Sequence, residues 1–560
     1  MTEELDHGFH ADMDRRNFIQ RSAVTASGVA LAGAGADFFA SAAGAVTTNG
    51  RGRDGVNKGK PKHGGNLVIG VDSEEQGFNP STGRFDTTGF LYARAVFDPL
   101  MIVTEKGSVK PYLAKSMTSN ANHTVWTITL RDGIKFHDGT PLNAEALLLN
   151  IDKQYTSFLT GIALKPLIAS YKVSGPMSVE LTMKHPWSLF PYTLAEQQIC
   201  FVAAPSMLNA PDGGTTKPVG TGPFVFKEWV QNNHFTAVRN KDYWRKGLPY
   251  LDSVTFKPIP DAQARGQALQ TGQIDIMHQS TSRVVKQFRG NKKYSYRDNS
   301  GKMVGAPAVN CVMLNLAKAP FNDKGARAIL ANGVDRELYS KVIDLGICAP
   351  ANGVFQPGSP YYGKTSYPKF NPKNAQKLAD AYKKKHGKAL AFTLNVVNAP
   401  QTIQSGSFLQ QEMKKLGVKV TLKTFQQNEL INNALFGSFE ATEWSQFGGI
   451  TPDTNYVWWS TETAVKNGLS INMARNIDPR LQKALLEGLG ASNKKTQTRA
   501  FAKVNEYLAE DMPYIYTDRT VWAIISKSNV QNWASFTSPD GTRCLGQNQG
   551  DFWFTQIWKS

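Results

Sequence analysis

Cysteine is scarce: four residues in 560, Cys200, Cys311, Cys348 and Cys544, stand far apart, with no C-x-x-C pair and no histidine at ligand spacing. A zinc knuckle is excluded, while buried thiols and one or two disulfides are both allowed. Outside the N-terminus no uncharged apolar run approaches the roughly 18 residues of a membrane span, and mean hydropathy is −0.35, so an integral membrane protein is not expected. Charged residues make up only 19%. The balance of 63 Lys and Arg against 45 Asp and Glu is +18, but the basic residues are scattered, and the densest run, at 383–385, falls late in an expected helix where a solvated face is the ordinary reading. No nucleic-acid partner is expected. The nine histidines form no H-x-H or H-x-x-x-H pair, and no G-x-S-x-G elbow occurs. No catalytic residue, metal or cofactor is therefore expected, and the chain does not read as an enzyme. What is present is 41% hydrophobic residues with 30 Phe, 18 Tyr and 11 Trp, ample for a large core in more than one folding unit.

Residues 1–45 read as an address. Arg15 and Arg16, then Phe18, precede an uncharged Ala- and Gly-rich stretch at 22–36 and the small residues of 40–45, which resembles a twin-arginine signal peptide with cleavage after Ala42 or Ala45. Asp14 and Gln20 depart from the commoner residues at their positions. Residues 46–63 are rich in Gly, Lys, Arg and Asn without periodicity and read as a flexible leader.

Beyond residue 64 strand and helix patterns are mixed, an α/β chain. Trp126, Ile128 and Leu130 alternate with threonines, and Val179, Leu181 and Met183 alternate with polar partners, as half-buried strands do. Asn143 caps a helix. Asn371 caps another, with Pro372 at its first position and Ala375, Leu378, Ala379 and Tyr382 on one face. Leu390, Phe392, Leu394 and Val396 alternate, a helix follows, and Val418, Val420 and Leu422 alternate again, which predicts a parallel pair with a right-handed crossover.

Residues 358–365 fit G-x-x-x-x-G-K-[ST] letter by letter. A phosphate cradle needs a helix starting at its Lys and Thr, and Pro368 and Pro372 forbid a continuous one. Phosphate binding is not expected. His137-Asp138 sits before Gly139 in an expected turn, where an Asp more often bonds its own backbone than a metal.

Gly64-Gly65-Asn66-Leu67-Val68, Phe78-Asn79-Pro80, Phe97-Asp98-Pro99-Leu100 and Pro111-Tyr112-Leu113-Ala114-Lys115-Ser116 come in order, followed by Leu130-Arg131-Asp132-Gly133-Ile134-Lys135-Phe136-His137-Asp138-Gly139-Thr140-Pro141. Later stand Val219-Gly220-Thr221-Gly222-Pro223-Phe224, Asn240-Lys241-Asp242-Tyr243-Trp244, Ala319-Pro320-Phe321-Asn322-Asp323 and Val334-Asp335-Arg336-Glu337. Together these resemble the peptide and nickel binding proteins of ABC importers. The resemblance implies a two-lobed α/β periplasmic-binding-protein clamshell with an extra subdomain in the first lobe: lobe I from 64–99, 202–306 and 516–560, the insertion 100–201, and lobe II 307–515. It also implies capture of a peptide or related solute between the lobes, delivery to an ABC permease and its ATPase, an extracytoplasmic monomer, and the twin-arginine translocase as a partner in export.

By the same resemblance one wall of the cleft is Arg84, Phe85, Asp86 and Thr87, and the other is Trp444, Ser445, Gln446 and Phe447. Many peptide binders of the family hold the peptide's amino terminus with an Asp three residues after the tryptophan. Here Phe447 stands there, and Asp453 is the nearest downstream carboxylate that could serve. An oligosaccharide, opine or metal-complex ligand is the alternative, and an exported hydrolase is a third reading that lacks a nucleophile and base.

Overall fold

The structure is a computed structural model that describes Gly55 and residues 59–560, apart from 84, 159, 301–306, 447, 466 and 467. The signal peptide, most of the leader, Arg84 and Phe447 lie outside the described residues.

The alternating segment becomes strand Val125–Leu130, whose second, fourth and sixth residues are buried. It pairs antiparallel with Ser178–Met183, setting Trp126 opposite Leu181 and Ile128 opposite Val179. With Ala114–Ser119 and Ile168–Gly175 on the flanks they form a four-stranded sheet. Helix Ala144–Thr156 starts where the Asn143 side chain accepts from the Ala146 N–H, satisfying one orphan donor of its first turn.

Two larger sheets carry the remainder. The first has seven strands in the order Tyr294–Asp298, Ala523–Lys527, Ile276–Gln279, Asn66–Val71, Ser253–Pro258, His234–Arg239 and Phe224–Val230. Its central strand Asn66–Val71 runs parallel to both neighbours. The second has six strands: Ala349–Pro350, Tyr514–Arg519, Val309–Leu314, Ala441–Gln446, Ala391–Val397 and Lys419–Phe425. Ala391–Val397 pairs parallel with Lys419–Phe425, and helix Pro400–Lys414 joins them, the expected crossover unit. Asn371 caps helix Pro372–His386, whose basic last turn is exposed. Because Tyr514–Arg519 hydrogen-bonds as one strand to Val309–Leu314, a division at 515/516 would cut it. The chain returns to the first sheet through residues 520–522.

Several of the sequence landmarks meet at one buried point of the scaffold. Asp98 accepts from the Tyr243 hydroxyl at 2.9 Å, the Trp244 indole at 2.8 Å and the Thr221 hydroxyl at 3.3 Å. Burial pushes its carboxyl up to about 7, against those three hydrogen bonds. The Gly222 N–H donates to the Val96 carbonyl, and a Cβ there would stand 2.5 Å from that backbone, so glycine is demanded by the close approach. His137 lends its Nε2 to the Gly222 carbonyl at 3.0 Å, and burial lowers its pKa to about 4. It is a strut in this junction, and Asp138 caps its own turn through Thr140. Residues 358–365 start no helix, the next one beginning at Pro372. All four cysteines are buried free thiols, so the disulfide alternative is not realised.

Candidate functional site

A cavity of about 580 Å³ lies between the two large sheets, within the range that encloses small ligands. Its first wall grows from the C-terminal ends of the central strands of the seven-stranded sheet. Asp72 follows strand Asn66–Val71, and Asp86 caps helix Thr87–Val96 by accepting from the Thr88 and Gly89 N–H groups at 2.8 and 3.1 Å. Asp72 accepts from the Thr88 hydroxyl at 2.7 Å and stands 3.2 Å from His278 Nε2, whose ring stacks on Trp522. Burial works to raise the Asp72 carboxyl, but His278 and Arg265 outweigh it and hold it below the usual carboxylate range. Burial, then the charge of Asp72, pushes Asp86 up to about 6. Deeper in, Arg94 pairs with Asp551 at 2.8 Å and lies over the Trp553 ring, and burial raises Glu196 well above its ordinary value.

The second wall comes from the six-stranded sheet and the loop before its edge strand. Asp518 accepts from Asn310 Nδ2 and from the Thr517 hydroxyl, each at 2.8 Å. Burial raises its carboxyl. Burial, followed by the charge of Asp518, pushes Asp344 up to about 8. Among the described residues no basic side chain forms an ion pair with either. The Arg519 guanidinium donates instead to the Gly353 and Phe355 carbonyls. The lining thus holds the carboxyls of Asp72, Asp86, Glu196, Asp344, Asp518 and Asp551 against the guanidinium of Arg265, a set of oxygens suited to a ligand that donates hydrogen bonds or carries positive charge.

Of the residues named from the sequence, Asp86, Thr87 and Ser445 line this cavity. Phe85 does not: it is buried at 1% exposure and packs on Phe90 and Phe201. Strand alternation turns Ser445 to the cavity and its neighbours away. Trp444 is half-buried against the core, and Gln446 accepts from the Trp459 indole at 3.2 Å. Asp453 does not line the cavity either. Its short 3-10 turn Pro452–Asn455 carries it to the inserted segment, where it accepts from the Trp187 indole at 2.9 Å, and burial raises it to about 6. Missed by sequence reasoning were Asp344, Cys348 and Asp518, which no local spacing connects, and Arg265, which reads as one more residue of a polar helix.

A family model described as bacterial extracellular solute-binding proteins, family 5 middle, matches residues 108–468. The chain belongs to that family. Among curated relatives of this family-5 chain, the glutathione-binding protein GsiB of Salmonella typhimurium is 27% identical over 362 residues, 64% of this chain and 69% of the relative. The oligopeptide-binding protein AppA of Bacillus subtilis is 27% identical over 489 residues, 82% and 87% of the two chains. In structure the chain resembles the periplasmic binding protein DppA from Helicobacter pylori, solved with the peptide STSA, at a TM-score of 0.76 and 20% identity over 89% of this chain and 98% of that one. The family-5 fold is thus a two-domain binding protein with its cavity between the sheets.

Proposed function

We propose that this family-5 protein captures a peptide or related small solute between its two lobes outside the cytoplasm and delivers it to an ABC permease and its ATPase. One observation carries the reading: residues from the sides of both large sheets line the cavity, so a solute touching both walls stabilises the closed arrangement, in which both sets of contacts are made. The names of GsiB and AppA support a peptide-like solute, and the acidic lining suits one that carries a positive group. The working boundaries are lobe I at 64–99, 202–306 and 520–560, the insertion at 100–201 and lobe II at 307–519, the boundary at 515/516 being moved past the end of strand Tyr514–Arg519. Asp86, Thr87 and Ser445 are the proposed contacts. The protein acts as a monomer and is exported through the twin-arginine translocase; Arg15→Lys with Arg16→Lys should leave unprocessed precursor in the cytoplasm, and normal processing would refute that route.

A second reading keeps the fold and the transport role with an oligosaccharide, opine or metal-complex ligand. It is favoured by Asp453, which is spent on Trp187 and leaves no carboxylate at the expected amino-terminal anchor. A thermal-shift screen across peptides, sugars, opines and metal chelates separates the two. A cognate solute at about 100 times its dissociation constant should stabilise the fold by roughly 2.7 kcal/mol and reduce the radius of gyration in solution scattering. An unchanged radius at saturation would overturn capture by closure.

A further inference from the structure

The second wall contains a donor set that solute capture does not by itself explain. One ligand atom each from Asp344, Cys348 and Asp518 lie within 4.8 Å of one another, and all three residues are buried. Their convergence follows from strand register. Pro350 pairs with Asp518 and Ala349 with Arg519, so Cys348, two residues before Pro350, falls on the face of Asp518 as its diagonal neighbour. The chain between helix Arg336–Val342 and this edge strand then reverses at Gly346, whose φ of +74° suits glycine, and the reversal brings Asp344 back over the pair.

An independent observation points to a ligand. Asp344 is 4% exposed, yet among the described residues its Oδ2 has no hydrogen-bond partner. A buried acceptor without a donor costs about 1–3 kcal/mol, and here it belongs to a carboxylate beside a second carboxylate, with no basic side chain paired to either among the described residues. The neighbouring Ser282 hydroxyl reaches Cys348 Sγ at 3.6 Å.

We propose that Asp344, Cys348 and Asp518 bind a thiophilic divalent metal ion of the zinc or cobalt kind. The sulfur decides between this and an organic ammonium. A thiol is a weak acceptor for an N–H donor, whereas a thiolate with two carboxylates is a ligand set for a borderline-soft dication. As the metal–sulfur bond forms, the thiol proton and the proton that burial keeps on the Asp344 carboxyl both leave to water, and the two carboxylates contribute one oxygen each. The open side of the site faces the cavity, so water or a donor atom of the solute completes the coordination. The ion would tie the loop at 344–348 to strand Tyr514–Arg519 immediately before the crossover at 520–522, at the hinge side of the cleft.

The test uses the full mature chain stripped with a chelator and titrated with Co²⁺ under reducing conditions, with Zn²⁺ competition. The expected result is one equivalent bound, with a thiolate-to-cobalt charge-transfer band that disappears in Cys348→Ser, and affinity weakened by more than about tenfold in Asp518→Asn and Asp344→Asn. The wild-type spectrum decides the matter even if a variant folds poorly. No saturable cobalt binding, binding without the thiolate band, or unchanged affinity in all three variants would overturn the site. Solute binding measured on the chelator-treated chain is a separate arm: peptide capture without cobalt binding refutes the metal site and leaves the transport reading standing.

Discussion

On the first wall of the cavity Asp72 faces His278 and Arg265, Asp551 is paired with Arg94, and Asp86 caps a helix. On the second wall, among the described residues, Asp344 and Asp518 have neutral donors alone, from Ser282, Asn310 and Thr517. Both walls are buried and acidic, so the difference lies in what balances the charge. A paired carboxylate is part of the scaffold, and removing its partner leaves an uncompensated buried charge. An unpaired one is held by burial in its neutral form until a cation arrives. The ion-paired carboxylates of the first wall, Asp72 and Asp551, are therefore expected to be structural, and Asp344 and Asp518 of the second to answer to the charge of a ligand.

The largest effect that would break this comparison is on the first wall. Arg94→Ala strands Asp551 and removes the cation from above Trp553, and it should destabilise the protein by roughly 3–5 kcal/mol in denaturant melts. A loss below about 1 kcal/mol would make the pair no more than a surface bridge.

The second wall should respond with the opposite sign. The Asp344 carboxyl is raised from 3.8 to about 8, so its contribution to stability is full below its unfolded value and is lost as pH rises through the folded one. Asp344→Asn, which cannot ionise, should melt about 2 °C or more above the wild type at pH 9 in chelator, with the gap closing near pH 4. A variant less stable at pH 9 than at pH 4, relative to wild type, would show that Asp344 is stabilised as an anion and that the walls are alike.

The smallest effect is expected at Asp453. Because it bonds Trp187 rather than facing the cavity, Asp453→Asn should change solute affinity by less than about 0.5 kcal/mol in calorimetry. A tenfold loss would return it to the site and sharpen the peptide reading.

Where a pattern is local, sequence and structure agree. The alternation at 125–130, the Asn143 and Asn371 caps and the parallel pair Ala391–Val397 with Lys419–Phe425 all follow from neighbours in the chain. The landmark motifs were legible as a family resemblance, yet those around Asp98, Gly222 and His137 serve the scaffold rather than the ligand. The sequence offers Asp453 as the nearest carboxylate downstream of Phe447, and only the tertiary structure shows that the turn at Pro452–Asn455 carries it to the Trp187 indole.

By itself the sequence determined the class of the protein: its periodicities and caps specify an α/β chain, and the ordered motifs announce the solute-binding family. Only the tertiary structure decided which carboxylates are paired. Pairing depends on which strands lie side by side, and that juxtaposition brings Asp344 and Cys348 to Asp518, and Arg94 to Asp551, from parts of the chain that share no local pattern.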